Sequence, residues 1–221
     1  MEKKYPILLF DLDGTIINSM EGVTRSVEYA LNELGIQVED RASLTSFIGP
    51  PLTVGFPKNY PQLTPEQVTF AISKYRERYH TKGVNEHCLY DGIRELIISL
   101  HKSGRRLILA TSKPLYFAQQ IMDHYELTQY FEDVVGCGLN GELNTKAEVI
   151  NHALEKNGLL NSKKDILMVG DTHYDVVGAH ANELECIGVL YGFGHEEELK
   201  EANADYIVSD MNALAEFLNS H

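Results

Sequence analysis

Cysteine is scarce in this chain of 221 residues. There are three, Cys88, Cys137 and Cys186, far apart and with no C-x-x-C pair. So sparse and odd a set excludes a disulfide scaffold and reads as small, buried, reduced thiols of a cytoplasmic protein. Long apolar runs are missing near the start. Ile7-Leu8-Leu9-Phe10 is four residues long and ends in Asp11. A secretory leader needs seven to fifteen such residues and a membrane helix about twenty, so neither is expected. Basic residues are the minority, 19 against 32 acidic ones, for a net charge of −13. Nucleic acid is therefore not the expected partner, because its binders present a net basic face. Repeats and low-complexity segments are absent too. What is present is ordinary for a chain with a real core: 43% hydrophobic and 23% charged residues. The length suits one domain carrying a large insertion, or two small ones.

Three short apolar runs have the character of buried strands: Ile7 to Phe10, Leu107 to Ala110, and Ile166 to Val169. Val134-Val135, Cys186 to Leu190 and Tyr206 to Val208 are further candidates. Helical patterns separate them. Ile93, Leu96, Ile97 and Leu100 define one, stopped at Gly104. Ala118, Ile121, Met122 and Tyr125 define the next. Thr145-Lys-Ala-Glu148 is a capping box that opens a third, running to Gly158. This alternation predicts an α/β fold with a parallel sheet between helices. Residues 16–90 break the rhythm. Val23, Val27, Ala30, Leu31 and Leu34 make an amphipathic helix closed by Gly35. Thr64-Pro65-Glu66-Gln67 is a capping box with proline at the first helical position, followed by a second helix to Gly83. No strand is evident between the two. Charge separates the parts as well. Residues 16–90 hold seven basic and eight acidic residues, and the remainder holds twelve and twenty-four. The expected organisation is a core of residues 1–15 and 91–221 with an inserted helical module, 16–90.

Three strands run straight into polar residues: Asp11-Leu-Asp13-Gly14-Thr15, Thr111-Ser112-Lys113, and Gly170-Asp171-Thr172-His173-Tyr174-Asp175. In an open parallel sheet, ligands bind at the carboxyl ends of the strands. Asp11 and Asp13, two apart in extended chain, share a face. Their repulsion calls for a cation or a shared proton, and Mg2+ suits a few carboxylates that leave room for water and phosphate. One carboxylate can accept a phosphoryl group, and its neighbour can move protons. Asp171 and Asp175 add two ligands, although acids also suit a helix amino terminus. Thr111 and Ser112 offer hydroxyls and N–H groups to a phosphate. Ser112 equally suits the cap of a helix begun by Pro114. Lys146 opens a helix on the unfavourable side of its dipole, which points to an anion nearby. Lys113 is a second candidate for that charge. His173 has no histidine partner at ligand spacing and reads as a residue beside the site, and Tyr174 as packing.

Together these residues resemble the haloacid dehalogenase-like hydrolase superfamily over nearly the whole chain. The matching motifs are Asp11-x-Asp13-Gly14-Thr15, Thr111, Lys146, and Gly170-Asp171-x-x-x-Asp175. The resemblance implies a Rossmann-like core with a helical cap inserted after the first strand. It makes Asp11 the nucleophile and Asp13 the general acid/base, whose backbone carbonyl joins the metal. Thr111, Ser112 and Lys146 become phosphate ligands, and Asp11, Asp13, Asp171 and Asp175 the Mg2+ site. Phe47 to Leu52, Ala110 to Pro114 and Ile187 to Gly194 look like the phosphoglycolate phosphatase-like branch and a bacterial 5′-nucleotidase-like group. One departure is Thr172, where that group often carries arginine. The expected activity is Mg2+-dependent hydrolysis of a small phosphorylated metabolite, phosphoglycolate or a nucleoside 5′-monophosphate, through an aspartyl phosphate. The expected protein is a cytoplasmic monomer or homodimer with no nucleic-acid or membrane partner. A sugar phosphomutase would keep the same acids, and a silent phosphometabolite sensor would keep the pocket. A haloacid dehalogenase needs neither Asp13 nor a metal. Choice of substrate is expected to lie in the helical module. Phe47, Gly49 and Pro50 are its candidate selecting residues, and Arg41, Lys58, Arg76 and Arg78 its candidate anion contacts.

Overall fold

The computed structural model describes residues 4–139 and 142–221. In chain order the elements are β1 (Ile7–Phe10), β2 (Ile17–Asn18), α1 (Met20–Glu33), α2 (Leu52–Asn59), α3 (Pro65–Thr81), β3 (Cys88–Leu89), α4 (Ile93–Lys102), β4 (Arg106–Pro114), α5 (Leu115–His124), β5 (Asp133–Cys137), α6 (Lys146–Lys156), β6 (Ile166–Gly170), α7 (His173–Ala181), β7 (Glu185–Val189), α8 (Glu196–Glu201), β8 (Tyr206–Val208) and α9 (Met211–Ser220). They form two compact units. The first takes in the chain up to Ile17 together with Leu89–His221, and the second is Asn18–Cys88. Among the described residues, no helix is long and apolar enough to cross a membrane.

The first unit is built on a six-stranded sheet in the order β5-β4-β1-β6-β7-β8, every pair parallel. Parallel strands are covered on both faces, so they read as continuous apolar runs, and β1 and β6 are buried throughout. On one face Ile7, Leu9, Ile108, Ala110, Ile166 and Met168 pack with Val149, Ile150, Ala153 and Leu154 of α6 and Val176 and Ala179 of α7. Each fully buried side chain of this size contributes about 1.5–3 kcal/mol relative to exposure. The order reverses at β1. The chain goes from β1 to β4 and β5 on one side, then returns to β6, β7 and β8 on the other. Ligand crevices form at such a switch point. Phe10 is level with Leu109 on one flank and Val169 on the other, so Asp11 emerges between two strand ends.

The second unit pairs α1 with α3. The α3 capping box forms in full: Thr64 Oγ accepts from Gln67 N–H and the Gln67 side chain accepts from Thr64 N–H. Phe47 is buried, its ring 5.0 Å from that of Phe56 and 6.3 Å from that of Tyr60.

Two expectations need correction, and one helix was not anticipated. Residues 52–59 form α2 even though Gly55 and Pro57 lie within it. The gap between the two anticipated helices therefore holds a third. Ser112 is not a helix cap. β4 continues through Pro114, and α5 starts at Leu115 with no side-chain cap. No disulfide joins the three cysteines, and only Cys186 is buried; Cys137 is half-buried and Cys88 exposed.

Candidate active site

Three strand ends and one helix start of the first unit meet at the switch point. β1 delivers Asp11 and Asp13, β4 delivers Thr111 and Lys113, and β6 leads into Asp171 and Asp175. Lys146 comes from the amino end of α6, which Thr145 and Glu148 cap reciprocally. Asp11, Asp171 and Asp175 are buried, and one oxygen from each falls within 4.8 Å of the others. Lys146 Nζ lies 2.6 Å from Asp11 Oδ1 and 2.7 Å from Asp175 Oδ1, and donates to the Ala110 carbonyl at 3.1 Å. Its place at a helix start is explained: two acids outweigh the dipole.

Beside this cluster is a second pair. Lys113 Nζ reaches Asp13 Oδ1 at 2.9 Å and Oδ2 at 3.0 Å. The two candidate lysines thus divide the acids between them. The Asp13 carboxylate faces Lys113 and lies outside the three-acid cluster. Thr111 Oγ accepts from Lys113 N–H at 3.2 Å, which leaves its own proton to donate. Asp175 Oδ2 accepts from both the N–H and the hydroxyl of Thr172 at 3.0 Å. Asp175 is therefore both a capping residue of α7 and a member of the acid cluster. Thr172, where arginine was the common residue, supplies that cap. His173 stands outside the cluster, with Nδ1 3.8 Å from Glu198.

Charge in the cluster does not balance. Three carboxylates face one ammonium, because Lys113 is matched by Asp13. Burial raises the Asp11 pKa against the pull of Lys146, to about 6. Burial, with repulsion from Asp175 and Asp11, drives Asp171 well above the carboxylate range. Burial opposes the charge on Lys146, yet Asp11 and Asp175 hold its pKa above that of an ordinary lysine. Asp171 Oδ1 is buried with no hydrogen-bond partner. A cluster with two uncompensated charges and an unpartnered carboxylate oxygen fits a hard divalent cation.

Glycine makes the approach possible. A methyl group at Gly14, where φ is +86°, would overlap Asp171 Oδ2, and one at Gly192 would overlap the Asp171 side chain and the Gly14 carbonyl. The stretch Ile187 to Gly194 entered above only through its resemblance, and the loop that carries Gly192 was given no part in the site. Phe193 N–H donates to Asp171 Oδ2 at 2.7 Å. A backbone donor carries no residue signature. The only signal available was the Gly-Phe-Gly pattern of residues 192–194.

In the second unit, Arg78 is committed to Glu86 through two bonds of 2.8 and 3.0 Å and also donates to Ser26 Oγ. Arg41 lies 3.4 Å from Glu21. Gly49 and Pro50 are half-buried, and Gly49 has φ +103°.

Residues 8–189 match the haloacid dehalogenase-like hydrolase family, and the chain belongs to it. A 5′-nucleotidase of Pseudomonas aeruginosa is 42% identical over 218 residues, covering 99% of this chain and 97% of that protein. A phosphoglycolate phosphatase of Aliivibrio fischeri is 27% identical, covering 96% of each. The crystal structure of a predicted phosphatase from Clostridium acetobutylicum superposes with a TM-score of 0.94 at 46% identity, covering 98% of this chain and 99% of that one. The particular class follows: this is a phosphatase of the family, a phosphoric monoester hydrolase whose α/β core has the parallel sheet anticipated from the strand–helix alternation and the Rossmann-like form that the resemblance implies.

Proposed function

We propose that the protein hydrolyses a small phosphorylated metabolite, a nucleoside 5′-monophosphate or phosphoglycolate, with Mg2+ and through an aspartyl phosphate on Asp11. The observation that carries this is the setting of Asp11: Lys146 lies 2.6 Å away, and one oxygen each of Asp11, Asp171 and Asp175 falls within 4.8 Å of the others, at the switch point of the sheet. The 5′-nucleotidase relative, matched over nearly its full length, favours the nucleotide.

Asp11, Asp171 and Asp175, with the Asp13 carbonyl, would hold the Mg2+, which when bound offsets negative charge on the phosphoryl group and on the acids around it. Lys146 and the Thr111 hydroxyl orient phosphoryl oxygens, with Ser112 supplying backbone beside them. An Asp11 carboxylate oxygen forms a bond to phosphorus as the bond from phosphorus to the ester oxygen breaks. Asp13 acts as the acid in its protonated form, not as the Lys113-paired carboxylate, and gives that proton to the leaving oxygen. Asp13, now a carboxylate, then takes a proton from water, whose oxygen attacks phosphorus. The Asp11–phosphorus bond breaks, and inorganic phosphate and the Asp11 carboxylate are regenerated. Positioning and charge stabilisation supply most of the rate in such a transfer.

These core residues account for the phosphate alone. Discrimination must come from groups touching the rest of the molecule. We assign it to the helical unit, with Gly49 and Pro50 as the accessible candidates and Phe47 as the buried support of their turn.

The test is a screen of nucleoside monophosphates, phosphoglycolate and sugar phosphates with Mg2+ and with chelator. Turnover that requires Mg2+ is expected, as is a phosphorylated protein after acid quench that Asp11→Asn abolishes. Full activity after exhaustive metal removal overturns the metal assignment. Absence of the phosphorylated species together with failure of metal-fluoride trapping overturns the covalent route.

A further inference from the structure

The loop that follows β7, residues 190–194, is absorbed by none of the roles above, yet it is fastened to the site at every step. Leu190 N–H donates to the Val208 carbonyl at 3.0 Å and anchors the start of the loop to the sheet. Tyr191 then reaches across to the β1 loop, where its hydroxyl donates to the Thr15 carbonyl at 3.0 Å. Burial, with Asp171 nearby, pushes the Tyr191 phenol pKa far up, so it remains a protonated donor. The Tyr191 ring meets the Tyr90 ring edge-on, with centroids 4.9 Å apart, and Tyr90 N–H donates to the Ile16 carbonyl at 3.1 Å. Gly192 follows with no room for a side chain, against Asp171 and the Gly14 carbonyl. Phe193 N–H then holds Asp171 Oδ2, while Asp171 Oδ1 has no partner. Gly194 closes the loop where a methyl group would strike the Asp171 carbonyl.

We propose that Tyr191 is a positioning residue for the Asp171 carboxylate: its bond to the Thr15 carbonyl clamps the 190–194 loop to the β1 loop, so that the Phe193 N–H fixes Asp171 Oδ2 and leaves Oδ1 directed to the cation. This rests on the assignment of the acid cluster to a divalent cation. Groups that orient a metal ligand change metal affinity about 10–100-fold when removed. Phe193 acts on the ligand directly and Tyr191 through one intermediary, so their effects are graded.

The test uses the full-length, metal-free protein and Mn2+ alone as the probe. Binding is read from the loss of the free-ion electron paramagnetic resonance signal. Tyr191→Phe removes the hydroxyl and keeps the ring, and should raise the Mn2+ Kd by about 3–10-fold. Phe193→Pro removes the N–H and should raise it by about 10–100-fold. A purely structural Tyr191 would lower the metal-free unfolding temperature and leave the Kd of the folded protein unchanged. A Tyr191→Phe Kd within about twofold of wild type therefore overturns the proposal. If Phe193→Pro does not fold, Tyr191→Phe decides alone. Absence of Mn2+ binding by the wild-type protein overturns the metal assignment itself, and this inference with it.

Discussion

Asp11→Asn should abolish turnover and at the same time stabilise the metal-free protein. Asp11 is almost fully buried, and its pKa is raised from 3.8 to about 6 by burial, the attraction of Lys146 already included. A carboxyl group whose folded pKa is raised binds its proton more tightly when folded. Stability is then lost as pH rises from the unfolded value, 3.8, through about 6. Above that window the full penalty applies, about 3 kcal/mol at 1.36 kcal/mol per unit. Asparagine carries no such penalty. For a chain of this size the gain corresponds to about 6–12 °C in Tm at pH 7.5. Differential scanning calorimetry in chelator measures it, with a second series near pH 4, where the two proteins should converge. With Mg2+ at about 100 times its Kd, the wild type should gain about 2.7 kcal/mol and the variant, which lacks one of the proposed ligands, less. An Asp11→Asn protein no more stable than wild type in chelator at pH 7.5 would refute this reasoning. So would a gap that persists unchanged at pH 4.

Lys146→Ala should reduce kcat/KM more than Lys113→Ala, because Lys146 alone faces two buried acids; comparable steady-state kinetics for Lys146→Ala and wild type would reverse the two assignments. Phe47→Ala should lower the stability of the helical unit by about 3–5 kcal/mol in urea unfolding, since the ring is buried against Phe56 and Tyr60. Gly49→Val, strained at φ +103°, should shift relative kcat/KM between a nucleotide and phosphoglycolate by more than it shifts hydrolysis of an aryl phosphate. Equal losses on all three substrates would remove this turn from selection.

The sheet was legible because fully buried parallel strands cannot alternate polar and apolar residues. The runs at Ile7, Leu107 and Ile166 therefore stand out. Helix starts at Pro65 and Lys146 were legible because a capping box is a local interaction. α2 was not, because Gly55 and Pro57 disfavour helix and packing of Phe56 under Phe47 overrides them. The acids of the site were evident at three strand ends, yet the division of the lysines was not. Lys113 reaches Asp13 from a stretch where the pairing of β4 with β5 shifts register between Thr111 and Pro114, and spacing in the sequence does not record such a shift. Arg78 offered itself as an anion contact because nothing local announces its fork to Glu86. The hold of Phe193 on Asp171 was hidden because the donor is main chain.

The register of β1 has a consequence for how the protein comes into being. Ile7 pairs with Arg106 on one side and with Ile166 on the other. Of the strands of this sheet the earliest in the chain is thus an inner one, and both of its neighbours are synthesised long after it. At about 5–20 residues per second, Ile7–Phe10 waits roughly ten to thirty seconds for β6. Through that interval an apolar strand with two open edges is exposed, a template for pairing with other chains. The intervening segment Asn18–Cys88 can form its own contacts meanwhile, and its compaction shortens the loop that must close before β1 meets β4. Asp11, at the end of that strand, meets the Lys146 ammonium and the buried acids Asp171 and Asp175 only when the later strands have docked. Activity therefore appears at the end of folding, all at once.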